Sequence, residues 1–221
     1  MGIIQAELAP SGDRPPLTGC GPAPVGTIRQ AALARYRTIV ADPPWPIPAE
    51  NRRAGRGGRR GNSTAMGYRV MALEDIYALP VSGLAEADAH LFLWITPRLN
   101  REGAGVACAE AWGFRVVSEI IWAKPNFGLG AFPRPQHEPL LVCRRGSLPF
   151  ALNDVGSVQR WNQVFAKTNG GKVHSAKPDG ALDLIERASP GPYLELFARR
   201  ARFGWDYWGD ESLGTAEMVV A

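Results

Sequence analysis

The chain has 221 residues, a formal net charge of +4 at pH 7 and three cysteines. This length suits one α/β domain with a sizeable core, and three widely spaced cysteines argue against a disulfide framework or a cysteine-based zinc site. No apolar run approaches the roughly 20 residues needed to span a bilayer, so we expect a soluble cytoplasmic protein with no membrane partner. The positive charge favours a polyanionic partner.

Proline and glycine dominate the first 27 residues, where apolar residues show almost no periodicity. Such a composition is typical of a segment that does not pack into a core. We therefore predict a disordered or loosely attached tail over residues 1–27, a single domain over residues 28–212 and a short C-terminal tail over residues 213–221.

Short apolar segments alternate with helical patterns along the rest of the chain. This alternation predicts an α/β fold in which helices cover a mostly parallel sheet. The predicted strands are residues 38–41, 89–95, 116–122, 139–143 and 193–198. The predicted helices are residues 98–112 and 179–188, and a Ser-Pro-Gly sequence ends the second.

The first predicted strand ends in an unusual sequence, RTIVADPPWPIP at residues 37–48. Pro43 and Pro44 cannot donate hydrogen bonds to a neighbouring strand, so they end the strand and stiffen the backbone after it. Asp42 and Trp45 are thereby held on a rigid hook at the carboxyl edge of the sheet, where open α/β sheets bind ligands. Ordinary turns favour Gly, Asn or Ser beside proline and do not account for this pattern.

The hook suits methyl transfer to an exocyclic amine of a nucleobase. The lone pair of such an amine is delocalised into the ring, and acceptors aimed at its two hydrogens favour the pyramidal nitrogen that can attack. The Asp42 carboxylate and the Pro43 carbonyl are preorganised acceptors, and Trp45 would stack on the base, an interaction worth about 1–3 kcal/mol. A sulfonium methyl group needs no strong base, because the amine becomes acidic only after transfer and positioning does most of the work.

Two long segments rich in glycine fall between the predicted elements, and loops of such length are usually functional or disordered. One is residues 125–137. The other, residues 51–61, carries five arginines close to the hook, which we predict to clamp the phosphates of a nucleic acid without reading its sequence. A merely solvated loop is the alternative. The five residues are Arg52, Arg53, Arg56, Arg59 and Arg60.

Seven segments, in this order, resemble the Asp-Pro-Pro-Trp family of S-adenosylmethionine-dependent adenine-N6 methyltransferases, which includes the catalytic subunit of the eukaryotic messenger-RNA adenosine methyltransferase. They span about residues 36–211 and read ADPPW, LFLWIT, EIIWAKPN, HEPLLVCRRG, HSAKPD, IERASPGPYLELFAR and WGDE. The resemblance implies a Rossmann-like class I methyltransferase sheet with a permuted motif order, in which the hook precedes the cofactor strand. It also implies S-adenosyl-L-methionine as the cofactor.

The same resemblance implies which residues bind the cofactor. Lys177 of HSAKPD is expected at the methionine carboxylate, and the acidic pair of WGDE at the ribose hydroxyls, unless that pair is simply solvated. The segment after the cofactor strand lacks the Gly-x-Gly turn of many related methyltransferases. The implied cofactor-binding residues are Asp42, Pro43, Lys177, Glu195, Phe197, Arg199, Asp210 and Glu211.

Three further residues are expected beside the target base, namely Tyr68, Lys124 and Glu138. An ordinary half-buried tyrosine and a structural ion pair are the alternatives. Other aromatic residues in strand or helix patterns are expected in the core: Trp94, Trp112 and Trp122. His137 and His174 are isolated and lack the spacing of metal ligands, so no metal is expected.

Nucleic acid is the expected partner, and DNA is the favoured substrate because the compact chain resembles bacterial or phage members of the family. An RNA substrate is an alternative, since nothing in the sequence distinguishes A-form from B-form binding. A catalytically inert nucleic-acid-binding partner is another, although the intact hook from Asp42 to Trp45 argues against it.

Overall fold

The computed structural model describes residues 35–46, 70–127, 132–162, 167–168, 171–172 and 176–209. Several predicted features lie outside the described residues: both tails, the arginine-rich loop, Tyr68, Asp210 and Glu211.

The described residues form an α/β fold, as predicted, around one seven-stranded sheet with the strand order β5-β3-β4-β2-β1-β8-β9. A separate two-stranded sheet pairs β6 with β7. The strands are β1 (Tyr36–Ala41), β2 (Ala85–Trp94), β3 (Arg115–Ala123), β4 (His137–Arg145), β5 (Val158–Gln159), β6 (Lys167–Thr168), β7 (Gly171–Lys172), β8 (Tyr193–Leu196) and β9 (Trp205–Trp208). The helices are α1 (Leu73–Tyr77), α2 (Pro97–Arg101), α3 (Ala104–Ala111) and α4 (Asp179–Ala188).

Most neighbouring strands run parallel, as expected from the alternating pattern. β1 is parallel to both β2 and β8, β8 is parallel to β9, and β3 is parallel to β5. The exception is β4, which is antiparallel to β2 and β3. β2 and β3 therefore run in the same direction, so six strands of the sheet end at one edge, and β4 begins there. We call this edge the carboxyl edge.

One predicted helix is wrong in its extent. Residues 98–112 form two short helices, α2 and α3, because Gly103 takes a left-handed conformation with φ of 80° between them. Such a residue ends regular helical hydrogen bonding, and glycine adopts this conformation at little cost. No helix in the part of the chain described here is long and apolar enough to cross a membrane.

Both faces of the sheet are buried. Along β1, Ile39 packs into the core on one face and Val40 into the core on the other. Such burial on both faces explains why the central strands read as continuous apolar runs instead of alternating ones. The three tryptophans predicted in the core, Trp94, Trp112 and Trp122, are almost completely buried.

A buried polar network ties β1 and β2 to the turn that follows α4. The ring of His90 is fully buried, with Nδ1 2.7 Å from Ser189 Oγ and Nε2 3.0 Å from the Leu148 carbonyl oxygen. Thr38 Oγ1 lies 2.5 Å from the same Ser189 hydroxyl and donates to the Pro190 carbonyl. Burial lowers the pKa of His90 below its ordinary value of 6.5, so the ring is neutral in the folded protein.

This network predicts a pH-dependent stability. Below pH 6.5 the unfolded chain binds a proton at His90 that the folded protein does not, so the free energy of unfolding falls as pH decreases, by up to about 1.4 kcal/mol per pH unit. We expect the difference in unfolding free energy between wild type and His90→Gln to narrow as pH drops from 7 towards 5. Urea denaturation at several pH values measures it, and a constant difference would contradict the neutral buried ring.

Candidate active site

The hook after β1 lies in the middle of the carboxyl edge, and backbone hydrogen bonds fix it on two sides. The Asp42 amide donates to the Leu196 carbonyl of β8 at 3.4 Å, and the Met71 amide donates to the Pro44 carbonyl at 2.9 Å. The Trp45 amide donates to the Pro43 carbonyl at 2.8 Å, which leaves that oxygen a second lone pair. These hydrogen bonds connect the hook to β8 and to the segment at Met71.

Trp45 is an anchor in this structure. Its side chain is only 6% exposed and packs in the core, and its indole Nε1 donates to the Trp94 carbonyl at 2.8 Å. Little of the ring is available to stack on a base, because neighbouring side chains cover it. The geometry therefore does not support the stacking role predicted for Trp45, and it assigns the residue to holding the hook against β2.

Four charged side chains meet beside the hook, and the sequence brings them from four separate places. Lys177 Nζ lies 2.8 Å from Asp42 Oδ2 and 3.5 Å from Glu138 Oε1, while Lys124 Nζ lies 2.6 Å from Glu138 Oε2. Lys124 follows β3, Glu138 is the second residue of β4 and Lys177 precedes α4. We call this set the charge cluster. The ion pair that was the alternative for Lys124 and Glu138 is present, and their position beside the target base stays a prediction.

The charge cluster is largely shielded from water. The side chains of Asp42, Glu138 and Lys177 are 19%, 11% and 12% exposed. Burial raises the pKa of Asp42, an effect that Lys177 opposes. Burial also acts against the charge of Glu138, but Lys177 and Lys124 hold its pKa below the ordinary value. Although burial disfavours the Lys177 ammonium, Asp42 and Glu138 raise its pKa, so it stays charged.

Indole rings form the floor under the two lysines. Lys177 Nζ lies 5.4 Å from the centroid of the Trp94 ring, and Lys124 Nζ lies 4.5 Å from that of Trp122. These rings stabilise the cations through their negative faces and exclude water beneath them. The two tryptophans therefore serve both the core and the site.

The end of β8 has the features expected of a cofactor strand. Phe197 follows the strand with a positive φ of 63°, a conformation that a non-glycine residue rarely adopts, and its ring packs edge-on against Trp208 at 5.2 Å. The strand thus ends at Leu196, two residues earlier than predicted. Glu195 is half-buried, and burial, with the charge of Asp42, raises its pKa to about 7. Strained backbone of this kind clusters at functional sites.

The loop after β8 is attached to α4 by ion pairs. Arg200 pairs with Asp179, and Arg202 pairs with Glu186 at 2.8 Å and with Asp183 at 2.6 Å. Arg200 therefore contacts the first turn of α4. These ion pairs fix the loop where a Gly-x-Gly turn is missing from the sequence.

Gly209 brings the next segment close to the cofactor strand. A Cβ atom there would lie 2.6 Å from the Ala198 amide nitrogen and would also overlap the Ala198 carbonyl oxygen. The Ala198 amide donates to the Trp208 carbonyl at 3.0 Å, so the two backbones are held together. The acidic pair predicted to reach the ribose follows directly after this contact in the sequence.

We expect Gly209→Ala to reduce the free energy of unfolding by about 1–3 kcal/mol, because the added methyl group must push two backbone segments apart. Urea denaturation measures this loss. Gly83→Ala is a matched control, since nothing lies within 4 Å of a Cβ at that position. Equal stability of the two variants would contradict the close approach.

One aromatic residue at this edge has no signal in the sequence. Trp161, just after β5, is half-buried, and its backbone carbonyl accepts a hydrogen bond from Trp122 Nε1 at 3.0 Å. Its ring packs edge-on against Trp94 at 6.4 Å. A lone tryptophan in an irregular segment has no periodic pattern, and only the pairing of β5 with β3 shows that it is near the charge cluster. Within the described ranges, no group of three or more His, Cys, Asp or Glu could hold a metal.

Comparison with protein-family models finds a match to MT-A70 over residues 36–211. The chain belongs to the MT-A70 family. The match begins at the first residue of β1 and covers the hook, the charge cluster and β8. The family membership and the seven-stranded sheet confirm the predicted Rossmann-like methyltransferase fold.

Several relatives of this MT-A70 protein are named methyltransferases. The type II methyltransferase M.MunI of a Mycoplasma species is 29% identical over 82% of this chain and 80% of its own length. The human N(6)-adenine-specific methyltransferase METTL4 is 30% identical over 82% of this chain and 39% of its own. The N6-methyladenosine RNA methyltransferase MTA1 of Pyricularia oryzae is 28% identical over 86% of this chain and 52% of its own. The chain thus spans most of the bacterial relative and about half or less of these two eukaryotic ones.

Proposed function

We propose that this protein transfers a methyl group from S-adenosyl-L-methionine to the N6 amine of adenine in DNA. The observation that carries the proposal is the position of Asp42: a shielded carboxylate on a rigid hook, one strand away from the cofactor strand β8. The names of the relatives support adenine-N6 chemistry.

The residues around the end of β8 fit an adenosyl cofactor. Phe197, whose ring packs against the buried Trp208, offers aromatic surface, and Glu195 offers a half-buried carboxyl group that can accept hydrogen bonds from hydroxyls. The buried Trp208 Nε1 has no hydrogen-bond acceptor among the described residues, as expected of a donor whose partner arrives with a ligand. When bound, the cofactor would supply an electrophilic methyl group on a sulfonium centre.

The residues of the hook prepare the amine for attack. Asp42 and the free lone pair of the Pro43 carbonyl accept hydrogen bonds from the two N6 hydrogens, which favours the pyramidal nitrogen and holds it in line with the methyl group. As the N–C bond forms, the bond between the methyl carbon and the sulfonium sulfur would break, its electron pair would stay on the sulfur as a neutral thioether, and the positive charge would move to the nitrogen. The carboxylate of Asp42 stabilises this charge, and the nitrogen then loses one proton, to Asp42 or to water.

The other members of the charge cluster position Asp42. Lys177 holds one oxygen of Asp42, which fixes the orientation of the carboxylate. Glu138 holds Lys177 from the other side, and Lys124 in turn neutralises Glu138. Two carboxylates and two ammonium groups sum to zero charge, so the cluster can be buried without a net charge. In this arrangement Lys177 serves Asp42, and its contact with the cofactor carboxylate is a second role that we propose on the strength of the family pattern.

DNA is proposed as the substrate because the bacterial relative covers most of both chains. RNA is the second candidate, since the fungal relative is named an RNA methyltransferase. The five arginines of residues 51–61 would contact phosphates of either polymer, and Tyr68, Asp210 and Glu211 complete the proposed site from outside the described residues.

The test is a methylation assay with purified protein, S-adenosyl-L-methionine and single-stranded DNA, duplex DNA or RNA. After digestion to nucleosides, mass spectrometry identifies the product. We expect N6-methyladenine from DNA, and none from the Asp42→Ala variant. If N6-methyladenine forms only in the RNA sample, the substrate is RNA. No methylated adenine from any polymer, with nucleic-acid binding retained, would identify an inert binding partner.

A further inference from the structure

A second cavity opens beside the charge cluster, at the carboxyl ends of β3 and β5. Its volume is about 370 Å³, within the range of pockets that hold small ligands. Lys124, Gln136, Arg160, Trp161 and Asn162 line it. Lys124 belongs to both places, since it pairs with Glu138 and lines the cavity. The cavity therefore adjoins the charge cluster at Lys124.

Trp161 is held rigidly in the wall of this cavity. Trp94 contacts its ring edge-on, and Trp122 holds its backbone. On another side lies Gly180, in the first turn of α4, where an added Cβ would lie 2.5 Å from the indole Cδ1. Because Gly180 has no side chain, the indole ring of Trp161 can pack directly against the backbone of α4. A fixed, half-buried aromatic ring is the feature on which unpaired bases stack.

The polar groups around Trp161 suit a nucleotide. Arg160 is exposed and supplies a cation that can neutralise a phosphate. Asn162 and Gln136 supply amide groups that can hydrogen-bond base edges. More aromatic surface lies on the adjoining loop, where Phe127 is 60% exposed.

That adjoining loop is fastened at its base. The Lys124 amide donates to the Gln136 carbonyl at 2.9 Å, and Gln136 Nε2 donates to the Pro125 carbonyl at 3.1 Å. Between these two hydrogen-bonded ends of the loop, Arg134 lies 4.9 Å from the centroid of the Phe127 ring, and Phe132 is 99% exposed. Exposed aromatic rings interleaved with arginine are a pattern of single-stranded nucleic-acid binding.

We propose that this cavity binds a nucleotide next to the target adenine, with its base against Trp161 and its phosphate against Arg160. The order of strands along the carboxyl edge supports this: the cofactor strand β8, then the hook after β1, then Glu138, Lys124 and finally Arg160 and Trp161. A strand of nucleic acid crossing this edge would place one base at Asp42 and a neighbour at Trp161. The assignment rests on the proposed function.

The test uses an oligonucleotide with one adenine that the protein methylates, in which the flanking bases are removed one at a time to leave abasic sites. With wild type, we expect loss of one flanking base to lower kcat/KM about tenfold, the usual scale of one base–aromatic stack. With Trp161→Ala the same abasic site should cost nothing, and Trp161→Phe should restore the penalty. An undiminished penalty in Trp161→Ala, or no penalty in wild type at either flank, would overturn the assignment.

Two further variants separate binding from folding. Gly180→Ala keeps the indole but displaces it, so we expect it to reduce the abasic penalty even if Trp161→Ala folds poorly. Arg160→Gln should weaken binding of the oligonucleotide and lower the salt dependence of that binding. Arg187→Gln removes the same charge from the last turn of α4, far from Gly180 in the first turn, and should change neither. An equal effect of the two arginine variants would contradict a phosphate contact at Arg160. If wild type methylates no polymer, the proposed function itself fails, and this assignment fails with it.

Discussion

Replacing Asp42 with Asn is expected to lower the rate of methyl transfer by about 10²–10³-fold, the scale seen when one preorganised polar group is removed from a reacting centre. The Asn side chain is nearly the same size as the carboxylate, but it carries no negative charge. It can also turn its NH₂ group towards the N6 amine, and an NH₂ group cannot accept the hydrogen bond that the carboxylate accepts. Single-turnover measurement of methyl transfer at saturating cofactor isolates the chemical step.

The control for this variant is Asp75→Asn, which removes an exposed carboxylate from α1. It should leave the rate unchanged. Circular dichroism and calorimetric titration with S-adenosyl-L-methionine show whether Asp42→Asn still folds and binds the cofactor. A rate within tenfold of wild type, in a folded variant, would remove Asp42 from the catalytic role.

Replacing Lys177 with Met is expected to reduce the free energy of unfolding by about 3–5 kcal/mol. Lys177 lies between Asp42 and Glu138, so its loss leaves two shielded carboxylates without their shared cation. Adding Glu138→Gln should recover part of this loss, because the double variant no longer buries two like charges together. Urea denaturation at pH 7 measures all three proteins.

An exposed ion pair sets the scale for comparison. Glu102→Gln breaks the contact with Arg98 on the surface of α2, and it should cost at most about 0.5 kcal/mol. If Lys177→Met is no less stable than Glu102→Gln, the charge cluster contributes little to folding. If the double variant is less stable than Lys177→Met alone, repulsion between Asp42 and Glu138 is not the cause of the loss.

The sequence predicted the hook well because its information is local. Two prolines after a β-branched run determine where β1 ends, and all of these residues lie within one short segment. The charge cluster is a different case. Lys177 and Asp42 are 135 positions apart, and only the folded sheet brings them to 2.8 Å. The segments that resemble the family made Lys124 and Glu138 candidates but did not show which ion pairs they would form.

Errors in the secondary structure have similar causes. A helical pattern over residues 98–112 hides the break at Gly103, because a single glycine does not interrupt the apolar periodicity. β9 was missed since its four residues mix three aromatic rings with an acid and show no strict alternation. The His90 network was also missed, because a lone histidine inside an apolar strand gives no indication of its partners, Ser189 and the Leu148 carbonyl.

The pairing of β1 with β8 aligns the proposed amine-binding groups of the hook with the proposed cofactor site at the end of β8. Ala41 lies opposite Leu196, so the acceptor groups of the hook and the turn at Phe197 leave the sheet side by side. A shift of one residue in this register would move Asp42 by about 3.3 Å along the strand, roughly the whole distance over which two reacting atoms meet. The hydrogen bonds between β1 and β8 therefore set the distance between the hook and the turn at Phe197. Mutations that shift this register should impair turnover even when they lie far from the carboxyl edge and change no reacting group.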